Sequence, residues 1–174
     1  MLAHKFDIKR VDYSKPVYIQ PKLDGVRCLF TKDGAFSRTG KQFKNLAHIE
    51  LELIPFFKDN PNIILDGELY NHELKHDFEK IISLVRKQKP TADDRLDARN
   101  LIQYHVYDFI SNDKANYRDR MHELACSDIY SDYIKYVQAY RVYKHEEALN
   151  MHHDAYLAKG YEGSIIRLDG IYKH

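Results

Sequence analysis

An α+β fold is predicted by three features of this chain. Short β-rich runs flank Asp-Gly turns near the start, stretches with helical spacing follow, and strands and helices are then mixed along the rest. At 174 residues the chain can bury a sizeable core as one domain, 1–174, and it shows no internal repeat, linker or low-complexity segment.

The elements follow in order. Residues 17–21 and 26–31 are β-rich around Asp24-Gly25, and Lys32-Asp33-Gly34 is a second turn, so the start reads as an antiparallel meander. Residues 46–57 have helical spacing, with Asn45 as the expected N-cap. Ile63-Ile64-Leu65 leads into Asp66-Gly67-Glu68-Leu69-Tyr70 as a buried strand. Phe78, Ile81, Ile82 and Val85 predict a helix over 74–88, ended by Pro90. Residues 91–99 read as a charged connection, 101–110 as a strand, 117–126 as a helix and 136–143 as a strand. A helix over 145–159 is stopped by Gly160, and 163–168 is the last strand.

Composition narrows the function. A formal net charge of +1 excludes a uniformly basic nucleic-acid binder but leaves room for a local basic face. Two cysteines, Cys28 and Cys126, imply no disulfide framework and suit a reducing, intracellular compartment. No apolar run reaches the roughly 18 residues of a membrane span, and the first residues do not form a signal peptide.

Five sites put polar residues between apolar runs: Lys22 to Arg27, Ser37-Arg38-Thr39-Gly40, Asp66-Gly67-Glu68, Tyr107-Asp108, and Glu162-Gly163. Each alone reads better as a turn or a salt bridge. Lys22-Leu23-Asp24-Gly25-Val26-Arg27 fits a solvated hairpin as well as a phosphate-facing turn. Unpaired buried carboxylates are costly, so five such sites in one small domain point to polar groups converging on a pocket. A lysine there can be a nucleophile once it loses its proton, and an arginine there is a fixed fork for phosphate or ribose oxygens.

The ordered set resembles the adenylation (nucleotidyltransferase) domain of ATP-dependent DNA ligases, the compact phage type in particular. Lys22 to Arg27 matches K-x-D-G-x-R, Ser37 to Gly40 matches S-R-x-G, and Leu65 to Leu69 matches the third motif. Val106-Tyr107-Asp108 matches the aromatic-Asp element, and Glu162 to Arg167 resembles E-G-x-x-x-[KR]. The resemblance covers nearly the whole chain. It implies an ATP-grasp-like nucleotidyltransferase domain, with antiparallel sheets flanked by helices and a nucleotide pocket between them. It implies that Lys22 attacks the α-phosphate of ATP to form lysyl-AMP, and that AMP then passes to the 5′-phosphate of a nick in duplex DNA for sealing. A free lysine, with pKa about 10.4, is almost wholly protonated at neutral pH, so cations and Mg²⁺ are implied as cofactors of that step. By the same resemblance Gln20 reads the adenine amino group, Arg27 contacts ribose or phosphate, and Glu68 accepts from a ribose hydroxyl. Tyr107 stacks on adenine, Arg38 binds the nick phosphate, and Glu162 holds the metal side of the site.

The family's K-x-K strand and its oligonucleotide-binding-fold domain have no counterpart, and Lys173 alone does not restore the pattern. Loss of such an electrostatic contact costs about 10²- to 10³-fold in rate. The 174-residue chain is therefore expected to be a C-terminally incomplete domain, impaired in adenylylation and unable to seal nicks. A capping guanylyltransferase, an RNA ligase of the same superfamily and a non-catalytic ATP-binding fragment stand as alternatives. Glu162-Gly163 argues against capping, and Arg27 with Arg38 against RNA. An intracellular location follows, host cytoplasm if the source is a phage. His72-Glu73-Leu74-Lys75-His76 fits the H-E-x-x-H zinc pattern but sits in a turn without a nearby third ligand, so no zinc is expected. His152-His153 reads as a solvated helix face.

Overall fold

The computed structural model describes residues 6–7, 11–111, 114–143 and 146–172. His145 and Lys173 lie outside them. In chain order the described elements are β1 (Val17–Lys22), β2 (Val26–Thr31), β3 (Gly34–Phe36), α1 (Ala47–Asp59), β4 (Ile64–Tyr70), α2 (Phe78–Val85), α3 (Ala92–Leu101), β5 (Gln103–Ile110), α4 (Tyr117–Cys126), β6 (Ile134–Tyr136), β7 (Tyr140–Val142), α5 (Glu146–Ala158) and β8 (Gly163–Leu168). They form two sheets, one of order β7-β1-β8 and one of order β3-β2-β4-β5-β6. All pairings are antiparallel except β5 with β6.

The expected meander does not form, because β1 and β2 lie in different sheets. A strand has two edges. Those of β1 are taken by β7 and β8, and those of β2 by β3 and β4, so neither is open to the other. Asp24-Gly25 is thus a crossing between sheets. Gly25 is needed there because a Cβ would lie 2.5 Å from the Leu69 carbonyl oxygen and 2.7 Å from Glu68 Cγ.

Strand alternation divides the core. Val17 and Ile19 pack with Leu149 and Tyr156 of α5, while Tyr18 joins the main core of the larger sheet. With a period of two, Gln20 and Lys22 share the Tyr18 side of β1 and face the larger sheet. In that sheet Leu65 and Leu69 of β4, with Tyr104 and Val106 of β5, are fully buried in the main core.

Local structure departs from the sequence expectations where side chains bond beyond their own element. Asn45 does not cap α1; Leu46 occupies that position with no side-chain bond. The Asn45 amide instead donates to the carbonyls of Leu84 (3.0 Å) and Asp94 (3.1 Å). The helix expected over 74–88 is shortened, because Asp77 accepts from the Lys80 N–H and starts α2 there. Asn71 accepts from Glu73 and turns His72–Leu74 into a separate 3-10 turn. The charged connection is a helix, α3, opened by a capping box in which Thr91 and Asp94 bond each other's backbone N–H. The strand expected over 136–143 is two short strands, β6 and β7, in different sheets. His152 and His153 are half-buried: one stacks on Tyr140, the other bonds Ser164 Oγ at 2.8 Å.

Candidate active site

The two sheets meet through polar side chains. Lys22 ends β1 opposite Gly163, the first residue of β8, and the Glu162 N–H donates to the Lys22 carbonyl at 3.2 Å. That register brings the Glu162 carboxylate onto Lys22 Nζ as an ion pair, with both side chains partly exposed. The Lys22 amine is thereby held at a partly exposed position by one carboxylate.

Across from it, β2 and β4 pair Arg27 with Glu68. The Arg27 guanidinium turns to Asp66, Nε to Oδ1 at 2.9 Å and Nη2 to Oδ2 at 2.7 Å. Tyr172, beyond β8, donates its hydroxyl to Asp66 Oδ2 at 2.7 Å and accepts from Arg27 Nη2 at 3.0 Å. Burial works against charge on Arg27, but the hydrogen bond and charge of Asp66 outweigh it and strengthen its hold on the proton. Glu68 has the opposite fate. Burial and the charge of Asp66 push its carboxyl up to about 8, against the pull of the Tyr107 hydroxyl, Arg27 and Lys22.

Tyr107 owes its place to a bulge. Asp66 pairs with Asp108 and Gly67 with Val106, so the register skips Tyr107. Its hydroxyl donates to Glu68 Oε2 at 3.4 Å, and the Arg167 guanidinium covers its ring at 5.0 Å from the centroid. Gly67 makes the bulge possible: a Cβ there would meet the His105 carbonyl at 2.5 Å and Tyr104 Cε2 at 2.7 Å.

A buried network ties the sheets together beneath these groups. Gln20, 1% exposed, donates Nε2 to the Val137 carbonyl at 2.9 Å and more weakly to that of Tyr107 at 3.5 Å. Its Oε1 accepts from Arg167 Nε at 2.9 Å. Arg167 Nη1 reaches Asp108 Oδ2 at 3.4 Å, and Asp108 also holds the buried Arg120, with Nε to Oδ1 at 2.8 Å. Arg120 donates further to the carbonyls of Ala115 and Gly170. Two arginines thus balance Asp108, which is fully buried.

The structure therefore brings together Gln20, Lys22, Arg27, Glu68, Tyr107 and Glu162. Arg38 is not among them: it is exposed in the turn after β3, where Ser37 Oγ accepts from Lys41 N–H, and among the described residues no hydrogen bond or ion pair ties it to Lys22. Gln20 and Arg27 also hold partners within the protein. The Gln20 amide has both its polar atoms on protein partners, and the Arg27 fork is closed on Asp66. The pairing of their neighbours explains both, because each satisfies a group that would otherwise be buried unpaired. Sequence reading missed Asp66, Asp108, Arg120, Arg167 and Tyr172 as members of the site. Asp66, Asp108 and Arg167 lay inside quoted motifs. Arg120 and Tyr172 carried no local signal, since their carboxylate partners, Asp108 and Asp66, lie 12 and 106 residues away. The H-E-x-x-H histidine His72 bonds Tyr70 Oη through Nδ1 (2.7 Å) and the Lys159 carbonyl through Nε2 (3.0 Å), so both ring nitrogens serve the fold.

Two sheets joined over a lysine–carboxylate pair, with mixed helices around them, define a nucleotidyltransferase domain of the DNA ligase kind. The family model described as ATP dependent DNA ligase domain matches residues 1–174. This chain belongs to that family. No curated protein sequence matches it. Among solved structures it is similar to a Lig E DNA ligase, with TM-score 0.74 and 17% identity over 99% of this chain and 62% of that one. It is also similar to Chlorella virus DNA ligase-adenylate, with TM-score 0.72 and 22% identity over 98% of this chain and 59% of that one. The ATP-dependent DNA ligase from bacteriophage T7, in complex with ATP, follows at TM-score 0.63 and 16% identity over 92% and 60%. The chain thus spans about three fifths of the length of each of these structures.

Proposed function

We propose that this chain carries out the adenylylation step of a DNA ligase, with Lys22 as the nucleophile and ATP as the donor. The observation that carries this reading is the Lys22–Glu162 pair at the facing ends of β1 and β8. Nζ gives up a proton to solvent, attacks the α-phosphorus and forms a P–N bond, and the second proton that it sheds on bonding also passes to solvent. The bond from that phosphorus to the bridging oxygen of the β-phosphate breaks, and pyrophosphate leaves with its electrons. In a full-length ligase AMP then moves to the 5′-phosphate of a nick in duplex DNA, and the neighbouring 3′-hydroxyl displaces it to seal the strand.

Arg27, aimed by Asp66, meets ribose or phosphate oxygens; Glu68 accepts from a ribose hydroxyl; Tyr107 presents its ring to adenine, and Gln20 lies behind it at the adenine edge. Arg38 meets the nick phosphate. Glu162 supplies a hard oxygen donor that fits Mg²⁺. Among the described residues no three His, Cys, Asp or Glu side chains cluster to hold a metal, and an ion that keeps several waters would need few protein ligands beside Glu162. When bound, Mg²⁺ supplies positive charge to the phosphates.

The test is intact mass after incubation with Mg²⁺ and ATP, or GTP in parallel, beside Lys22→Ala. One AMP on the parent, added slowly, and none on the variant is the expected result. A GMP adduct reassigns the chain to the capping guanylyltransferases, and no adduct with either nucleotide leaves a nucleotide-binding fragment.

A further inference from the structure

The chain's positive charge is not evenly spread. Residues 34–49 contain Arg38, Lys41 and Lys44 and no acid, and residues 80–92 contain Lys80, Arg86, Lys87 and Lys89 and no acid. These seven cations stand against a net charge of +1, so the remainder of the chain is acidic on balance.

The fold lays the two segments side by side. Gln88 Nε2 donates to the Gln42 carbonyl at 3.4 Å, and Asn45 Nδ2 donates to the Leu84 carbonyl at 3.0 Å. The buried Phe43 anchors one segment and Leu84 and Val85 the other, which leaves Lys41, Lys44, Arg86, Lys87 and Lys89 exposed. Lys87 is paired with Asp94 at 3.0 Å, and Lys80 with Asp97 at 3.5 Å. Lys41, Lys44, Arg86 and Lys89 form no ion pair among the described residues. The acids packed nearby are engaged elsewhere: Asp94 also caps Thr91, and Glu50 is half-buried in the groove behind Gln42. The strip runs on from the turn that carries Arg38, since Lys41 N–H bonds Ser37 Oγ across that turn.

We propose that Lys41, Lys44, Arg86 and Lys89 form a phosphate-contacting strip for the backbone of duplex DNA, continuing outward from Arg38. This rests on the ligase reading above for the identity of the polyanion. Four cations without an ion pair among the described residues are what a polyphosphate needs, and a duplex offers one negative charge per about 1.7 Å of axis. No base edge is read, so the strip holds duplex without regard to sequence.

The test compares the parent chain, the quadruple variant Lys41→Gln/Lys44→Gln/Arg86→Gln/Lys89→Gln, and a control that removes Lys15, Lys58, Arg141 and Lys159 instead. Affinity for a labelled nicked duplex is read by anisotropy across a salt series, and Lys22 labelling by ATP is read in parallel. The strip variant should bind at least about tenfold more weakly at 0.1 M salt, with the slope of log K against log salt shallower by about 3 to 4. Its Lys22 labelling should equal the parent's, because labelling needs no DNA. Equal affinity and slope in the parent and the strip variant overturn the proposal, as does an equal loss in the control. Failure of the parent to bind duplex overturns it too, while intact labelling would leave the adenylylation reading standing. Absent labelling with a strip-dependent salt slope would do the reverse.

Discussion

Arg27 and Asp66 form a two-pronged ion pair across β2 and β4, and Tyr172 closes its open side with a hydroxyl on each partner. Asp66 is 2% exposed. The pair does two things at once. It neutralises a buried carboxylate, and it fixes the plane of the arginine that the proposed mechanism aims at the nucleotide.

Asp66→Ala leaves the partly buried Arg27 and the Tyr172 hydroxyl without their acceptor. Breaking one side of a buried pair costs about 3 to 5 kcal/mol. Urea unfolding should show a loss of that size, while Tyr172→Phe, which keeps the ion pair, should lose about 1 kcal/mol. Equal losses in the two variants would mean that the hydroxyl, rather than the carboxylate, holds Arg27.

The raised Glu68 carboxyl gives stability a pH dependence. Its pKa is near 8 in the folded chain against an ordinary 4.5, so the folded state holds a proton that the unfolded state has lost. Glu68 therefore subtracts stability as pH rises from about 4.5 to about 8. His105 acts in the other direction. Burial, with Lys135 and His72 nearby, lowers it to about 4 from 6.5, so stability is lost as pH falls through that range. Between pH 6.5 and 8 only the Glu68 effect operates of these two. Glu68→Gln should flatten the fall of the urea midpoint in that window, and an unchanged slope would remove Glu68 as its source.

Arg167 meets three groups together: Gln20, Asp108 and the Tyr107 ring. A lysine offers one compact ammonium and cannot span them. Arg167→Lys should release the Gln20 amide and the ring face, raising the KM for ATP in Lys22 labelling more than it lowers kcat. A drop in kcat with KM unchanged would show that Arg167 acts on the chemical step and not on nucleotide placement.

Thr91→Ala removes the side chain that caps α3. The expected loss is about 1 kcal/mol, as for other N-cap deletions. It should appear in thermal unfolding with no change in Lys22 labelling.

Elements with a strong local pattern were legible. The helix over 117–126 and the strand over 163–168 have their predicted bounds in the structure. Their apolar period and flanking turn residues suffice. The helix α3 was hidden because it buries only Ala98 and shows little apolar period; its signal was the Thr91-x-x-Asp94 cap. The 136–143 run was misread as one strand because period-two patterning does not say which sheet a residue joins.

The order and types of the polar motifs are properties of the sequence by itself, and they identified the family and the residues Gln20, Lys22, Arg27, Glu68, Tyr107 and Glu162 that meet. Only the tertiary structure decided how those side chains are spent. Competition for buried partners closes Arg27 on Asp66, commits Gln20 to Arg167 and Val137, and seats Tyr172 and Arg120 in the site from distant parts of the chain. The physical reason is that a buried polar group must find a partner within about 3 Å in space. Neither residue type nor local spacing specifies which distant atom will be there.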